Sequence, residues 1–454
     1  MPLQRKMRVG FLLGKEGDPL IVGTAPKDVP ERLRNSNPTV GWGGSFHADL
    51  GMAWHVKRRH SDEVEVDCIP CTEISEARLK KNDVNFIAGA DLLSAYLVDG
   101  KRHRSEFAKQ AKRALLSPKS KVFPSPKMQD WVYQKSKYMR QCMKAGIPML
   151  PTIFVGRRPD CQRLLVDIRQ RGWMKFVVKP ETSCWSMGFL AAVLVDCEED
   201  PSILEGHFRD HDPVAGYLVQ EFVESKSHPG QSFEEVRTYW INGRFSHAAH
   251  TTGEDETSKK GLTIDGITVP PSPEDLSHAV ALAQRAMEQV VKVSTFQGRK
   301  SVPILNRVDI GIVAKGVKVQ GSGWDPRRRT YFLNEIENAV CNCLTRYFGN
   351  DRRGLKMQAY TGFEAIDVVD RLGEAAWQKI RELCFGEGPA PLPSWLPGTF
   401  GSIPAGLTAK SPPPPLPASG QPQKSRPARR KRLRPASEVQ SLARKRPRRS
   451  GRMS

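Results

Sequence analysis

The chain has 454 residues, 39% hydrophobic and 26% charged, with a formal net charge of +21 at pH 7. That length allows two to four domains, and that composition is ordinary for a globular protein. The longest strictly apolar run, FLAAVLV at 189–195, is far too short to cross a bilayer, so no membrane is expected among the partners.

The charge is unevenly spread. Residues 386–454 carry 14 Lys and Arg against Glu387 and Glu438, which places +12 in the tail and +9 in residues 1–385. The body is therefore mildly basic, and an anion bound by the tail need not be the substrate of the body. Nine scattered cysteines suit a reducing intracellular compartment, cytoplasmic or nuclear, better than a disulfide framework. Cys68 and Cys71 form one C-x-x-C with no second Cys or His pair at finger spacing, so two half-buried thiols at a strand end are favoured over zinc. The opening MPLQRKMRVGFLLGKEGD has a brief apolar segment and no small-residue cleavage site, and reads as a first strand rather than a secretion signal.

In chain order, residues 1–122 read as one α/β unit. Strands are expected at 7–14 and 64–70, a strand and short helix within 83–100, and an amphipathic helix over 103–117. Gly41, Gly43 and Gly44 mark a loop that is either a tight turn or a close backbone approach to an anion. A second unit spans 123–385. It opens with a helix over 127–145, a Gly-Ile-Pro turn and the strand TIFV, then a helix over 160–171. Two strands around a polar turn follow within 175–196, then a strand within 215–225. A hairpin turns at Asn242-Gly243, and a helix capped by Ser272 covers 271–293. Helices are expected at 338–347, where Cys341 and Cys343 fall, and over 361–384. From 386 a Pro-rich and then basic tail cannot bury enough apolar surface to fold and is expected to be disordered.

Two late strands, NRVDIGIV (306–313) and YFLNEIENAV (331–340), carry carboxylates among Val, Ile and Leu. Residues two apart on a strand share a face. Glu335 and Glu337 therefore project together, and Arg307 shares a face with Asp309. Three converging carboxylates repel one another unless a cation sits between them. With only oxygen donors on offer, that cation is expected to be hard, Mg²⁺ or Mn²⁺, with phosphate oxygens completing its shell. On these strands alone, an ion pair of Arg307 with one acid and edge exposure of the rest stays equally open.

Upstream residues are candidate counterparts of a bound nucleotide, with a surface lysine at 179 and an ordinary strand with a solvated charged face as the plain alternatives. Lys179 ends the apolar run FVVK, and Lys135 lies on the helix before AGIP. Thr182, Ser183, Ser186 and Gly188 sit in a turn able to close over phosphates. Gln220, Glu221, Phe222 and Val223 offer backbone hydrogen-bonding groups beside an apolar slot. Glu235 suits ribose hydroxyls, and Arg237 shares its face. His247 and His250 are expected to be exposed hairpin histidines.

In order, a Lys eleven residues before Gly-Ile-Pro, V-V-K-P, Q-E-F-V, E-x-R, R-x-D and N-E-I-E resemble the ATP-grasp superfamily over about 122–350. D-alanine–D-alanine ligases and glutamate-adding ligases are the nearest kinds. The resemblance implies an ATP-grasp fold preceded by an α/β pre-ATP-grasp domain, with ATP and Mg²⁺ (or Mn²⁺) as cofactors. It implies phosphate contacts from Lys135 and Lys179, an adenine hinge at Glu221–Val223, and Glu235 as the ribose acid. Arg237 and Arg307 would contact the γ-phosphate or an acyl phosphate, and Asp309, Glu335 and Glu337 would bind metal. The implied reaction joins a small-molecule or peptide carboxylate to an amine. Two departures stand out: Glu337 where much of the family has Asn, and a phosphate loop keeping only Gly188, with Trp185 at its centre.

Two other readings share these residues. A kinase acting on a small-molecule hydroxyl would use every nucleotide contact. A non-catalytic nuclear or nucleic-acid-associated protein would be led by the tail, where RPARRKRLRP (426–435) and ARKRPRRS (443–450) resemble the two arms of an import signal. Such runs engage an import receptor, bind nucleic acid without sequence preference, or stay solvated.

Overall fold

The computed structural model describes residues 5–13, 21–24, 45–70, 73–87, 106–182, 188–211, 215–224, 233–251, 268–269, 271–319, 324–338, 358–361 and 364–387. All lie within one compact unit, Met1–Gly398.

The first sheet is parallel. Its strands are β1 (Met7–Leu13), β4 (Val64–Pro70), β5 (Val84–Phe86) and β6 (Val122–Phe123), in the order β4-β1-β5-β6. Between β1 and β4 lie the short strands β2 (Ile21–Thr24) and β3 (Ser45–His47), which pair with each other, and helix α1 (Ala48–Arg59). The near-continuous apolar run of β1 fits a strand covered on both faces. Gly10 lets Asn85 approach: a Cβ there would lie 2.0 Å from the Asn85 side-chain oxygen. Asn85 in turn donates to the carbonyls of Leu79 and Ser120 at 2.8 and 2.6 Å, tying the strand to its flanking turns. Helices α2 (Glu76–Leu79) and α3 (Glu106–Leu116) flank this sheet.

Helix is expected without a break over 127–145, but the structure has two: α4 (Pro126–Tyr133) and α5 (Lys135–Lys144). They meet at Gln134, whose φ of −85° and ψ of 86° are not helical. The break frees the amide of Lys135 to donate to the Glu181 carbonyl, 3.2 Å away. That contact links the start of α5 to the residue just past the strand Lys175–Pro180.

A small antiparallel sheet follows, made of β7 (Thr152–Val155), β8 (Lys175–Pro180), β9 (Leu190–Val193) and β10 (Tyr217–Glu221), in the order β7-β10-β8-β9. Helices α6 (Cys161–Gln170), α7 (Leu194–Glu199) and α8 (Ser202–Asp210) bury Leu164, Ile168, Leu204 and Phe208 against its strands. Asp160 caps α6, accepting from the Arg163 amide. The second strand expected within 175–196 stops at Val193, where the chain turns helical.

The large sheet holds the late acidic strands. Its members are β11 (Glu234–Ile241), β12 (Arg244–Thr251), β13 (Thr268–Val269), β16 (Leu305–Val313), β17 (Thr330–Glu337), β18 (Gln358–Thr361) and β19 (Glu364–Asp367). The order is β17-β16-β11-β12-β18-β19, with β13 paired to β12. The Asn242-Gly243 turn joins β11 to β12 with φ of 47° and 77°, the left-handed pair that a two-residue hairpin of this twist requires. Helix α9 (Pro273–Val293), capped by Ser272, packs Leu276, Ala279, Ala283, Ala286 and Val290 on one face of this sheet. A two-strand ribbon, β14 (Thr295–Phe296) and β15 (Arg299–Lys300), leads into β16.

The expected helix over 361–384 is preceded by a hairpin, because β18 and β19 extend the sheet beyond β12. Helix α10 (Val368–Ile380) begins only at Val368. Its Leu372, Ala375, Ala376 and Ile380 share one apolar core with Met52, Ala53 and Val56 of α1 and with Tyr239, Ile241 and Leu305 of the large sheet. At the crossing, a Cβ on Gly373 would lie 2.3 Å from the His55 ring, so only glycine allows that approach.

Candidate active site

Strand parity places the charged residues. In β11, Glu235, Arg237 and Tyr239 share a face. Arg237 stands opposite Asp309 of β16, which stands opposite Glu335 of β17; Arg307 stands opposite Glu337. The other face carries Val236, Val308, Ile310 and Ile336, which enter the core under α9. One surface of three neighbouring strands is thus charged, and the reverse is apolar.

The three expected metal ligands are adjacent, but each is held by a cation. Arg307 donates to Asp309 twice, Nε to Oδ1 at 2.7 Å and Nη2 to Oδ2 at 2.6 Å. Its Nη1 lies 3.2 Å from Glu337 Oε2, which accepts no hydrogen bond among the described residues. Lys135 Nζ lies 2.5 Å from Glu335 Oε1. The expected gathering of three carboxylates about one point is therefore replaced by ion pairs. Among the described residues, no three Asp, Glu, His or Cys side chains stand together as a metal site. The donor chemistry still suits a hard cation, since all three are carboxylates and one buried oxygen lacks a hydrogen bond.

Lys179 comes from the small sheet and approaches the same acids. It has no ion-pair partner among the described residues, and its pKa is lowered to about 8. Burial is the main cause and the charge of Lys135 adds to it, while Glu335 and Glu235 oppose. For Glu335, burial pushes the carboxyl up, but Lys135, Arg307 and Lys179 outweigh it and hold it below the ordinary range. Burial raises Asp309 and Glu337 despite Arg307. Lys179 of the small sheet, Lys135 of α5 and Arg307 of the large sheet therefore all act on one carboxylate.

The remaining site candidates are placed as follows. Glu235 is buried, pairs with Arg237 at 3.0 Å and accepts from the Asn334 side chain at 2.7 Å. Gln220 is buried and donates to the Thr152 hydroxyl at 2.9 Å. Glu221 ends β10, and the Phe222 amide donates to the Lys175 carbonyl at 3.0 Å. Val223 is buried and joins an apolar cluster with Leu150, Val313 and Phe332. Gly188 has φ of 71°, and a Cβ there would lie 2.6 Å from Pro180, so the turn returns past β8 only as glycine. Ser183 and Ser186 lie outside the described residues. So do Trp185, the glycines at 41, 43 and 44, Cys71, all but the first residue of the helix expected at 338–347, with Cys341 and Cys343, and the tail from 388 on.

His247 is not exposed as expected. It is fully buried, stacks on Tyr239 with ring centroids 4.3 Å apart, and its pKa falls to about 3, chiefly through burial and also through Arg371. His250 is half-buried, its Nε2 3.3 Å from Glu234 Oε2.

Two site residues have no signal in the strand pattern. Asn334 is an extra residue: β16 and β17 shift register between Asp309 and Ile310, so Asn334 bulges out and reaches Glu235. Tyr138, one helical turn after Lys135, is fully buried. Its pKa is raised by burial first and then by the charge of Glu335. An i, i+3 spacing from Lys135 was the available clue.

Comparison with solved structures identifies the architecture. The D-cycloserine synthetase DcsG superposes with a TM-score of 0.51 at 14% identity, over 82% of this chain and 99% of that one. The fold is ATP-grasp. A D-alanine–D-alanine ligase from Bacillus anthracis matches less well, at a TM-score of 0.46 and 14% identity over 83% of this chain and 99% of that one. The ATP-grasp ligase PsnB matches at 0.41 and 12% identity over 82% and 98%. No protein-family profile and no curated protein matches the sequence. In the chain, the parallel sheet precedes the small and large antiparallel sheets. Among the described residues no helix is long and apolar enough to cross a membrane.

Proposed function

We propose that the protein is an ATP-dependent, ADP-forming ligase that activates a carboxylate as an acyl phosphate and joins it to an amine. The observation that carries this reading is one charged face on which Lys135 of a helix pairs with Glu335 and Arg307 of the large sheet pairs with Asp309 and Glu337, with Lys179 of the small sheet near enough to feel the charges of Lys135 and Glu335. Cations from separate elements gathered on one acidic face suit a polyphosphate better than they suit stability, because buried ion pairs seldom repay their desolvation.

In this reading Lys135 and Lys179 bind phosphate oxygens, Glu221–Val223 frames the base and Glu235 takes the ribose hydroxyls. Asp309, Glu335 and Glu337 are the candidate ligands for Mg²⁺, which when bound would neutralise phosphate charge. A substrate carboxylate oxygen attacks the γ-phosphorus and the bond to the β–γ bridging oxygen breaks, releasing ADP. The amine then attacks the acyl carbon and the carbon–oxygen bond to phosphate breaks; the amine proton passes to solvent. Arg237 and Arg307 stand where negative charge develops, and such preorganised charge is the main source of rate in this class of transfer. No residue need become covalently attached to substrate.

The test is ADP release by the purified protein with ATP, Mg²⁺ and pooled carboxylates and amines, followed by product analysis. An amide with free phosphate is expected. A phosphorylated alcohol, or no ADP release above background with any pool, would contradict the ligase reading.

A further inference from the structure

On the charged face, four acids (Glu235, Asp309, Glu335, Glu337) meet four bases (Lys135, Lys179, Arg237, Arg307), so the formal charges cancel without any ligand. The acids that would take a divalent ion are the ones held by Lys135 and Arg307. A divalent ion arriving alone has to displace both bases and leave them buried beside an added double charge. Removing the partner of a buried charge is strongly unfavourable. A polyphosphate arriving alone has the converse problem, because drawing the bases away leaves bare carboxylates facing phosphate oxygens. When both arrive, the bases transfer to phosphate and the acids to metal, and every charge is paired again.

Resting on the proposed function, we propose that Lys135 and Arg307 are built-in stoppers. They keep a divalent ion off Asp309, Glu335 and Glu337 until a nucleotide polyphosphate draws them away, so that metal and nucleotide load as one unit. Lys135 makes one ion pair with these acids. It is the first residue of α5, just after the break at Gln134, and it reaches Glu335 through a long flexible side chain. Arg307 is almost fully buried and fixed by two parallel bonds. Glu337 Oε2, buried and without a hydrogen bond among the described residues, is the carboxylate oxygen left ready to accept a new partner.

The coupling is measured on the full chain by Mn²⁺ titration, reading the free-ion signal by electron paramagnetic resonance, with and without a non-hydrolysable ATP analogue, each against the same solution without protein so that Mn²⁺ held by the analogue itself is subtracted. Wild-type protein is expected to bind Mn²⁺ at least about tenfold more tightly with the analogue, within the usual range of coupling between sites. The K135M variant is expected to bind Mn²⁺ without nucleotide about tenfold more tightly than wild type, because Glu335 is released. The K135M/E335Q double variant should lose that gain. Equal Mn²⁺ affinity with and without the analogue in wild type, or no gain in folded K135M, would overturn the inference and leave the nucleotide site standing. If K135M does not fold, K135Q, which also removes the charge but keeps a polar side chain, carries the same expectation. If no Mn²⁺ binds even with the analogue, the proposed function falls as well.

Discussion

Arg307 grips Asp309, two residues along the same strand, through parallel hydrogen bonds of 2.7 and 2.6 Å. The pair lies wholly inside the protein, on the face of β16 turned toward the site. Burying two charges is tolerable here because the fork of the guanidinium matches both carboxylate oxygens. The same guanidinium reaches Glu337 on the next strand, so one side chain balances two acids.

Removing that side chain leaves both acids uncompensated. The R307M variant should lose about 3–5 kcal/mol of stability by urea denaturation, the usual cost of breaking a buried pair. R307M/D309N should recover part of the loss. Additive losses in the double variant would show that the two residues are not energetically coupled.

Lys179 should give the proposed nucleotide site a pH dependence. Its pKa of about 8 lies below the ordinary lysine value because of burial and the nearby charge of Lys135. The ammonium is present below pH 8 and lost as pH rises through it. Nucleotide affinity should therefore fall about tenfold between pH 7 and pH 9. In K179M, which is weaker at pH 7, that fall should be absent. A flat profile in the wild type would remove Lys179 from the phosphate contacts.

His247 sets an acid limit on the fold. Its folded pKa of about 3 lies below the ordinary value of 6.5, so the unfolded chain binds the extra proton between the two. Stability should be unaffected above pH 6.5 and lost progressively as pH drops toward 3, by up to roughly 4 kcal/mol. Phe can keep the stack on Tyr239, so H247F should show a shallower acid decline in melting temperature. An identical decline would assign the acid sensitivity to other groups.

Gly311 stands opposite Glu235, and a Cβ there would lie 2.2 Å from the Phe332 ring of β17. Overfilling a packed site usually costs about 1–3 kcal/mol, and G311A should lose that much in urea denaturation. The strand carrying Glu335 must shift to admit the methyl group, so nucleotide affinity should weaken too. Unchanged stability would mean that the ring moves aside freely.

Strand parity made the charged face legible: Arg307 with Asp309, and Glu335 with Glu337, follow from alternation alone. Lys179 stands out in the sequence because it ends the apolar run FVVK, and Lys135 because it lies on the helix before AGIP. What alternation hides is any departure from it. The bulge at Asn334 breaks the period of two, and the stop at Gln134 breaks that of 3.6; both depend on partners distant in sequence. The β18–β19 hairpin is too short to show a period and pairs at the edge of an existing sheet. His247 looked exposed because a hairpin alone does not reveal what covers it; its neighbour Ser246 accepts a hydrogen bond from Arg371, far along the chain on α10. The acids themselves showed a need for positive charge. Whether that charge is an ion or a side chain rests on the three-dimensional placement of Lys135 and Arg307.

The most direct measurement of the central claim is calorimetric titration of the full-length protein with a non-hydrolysable ATP analogue and Mg²⁺, repeated with K179M and E335Q. The charged face predicts saturable binding with a Kd in the micromolar range and losses of at least about tenfold in both variants. No heat of binding in the wild type, or equal affinity in all three proteins, would contradict it.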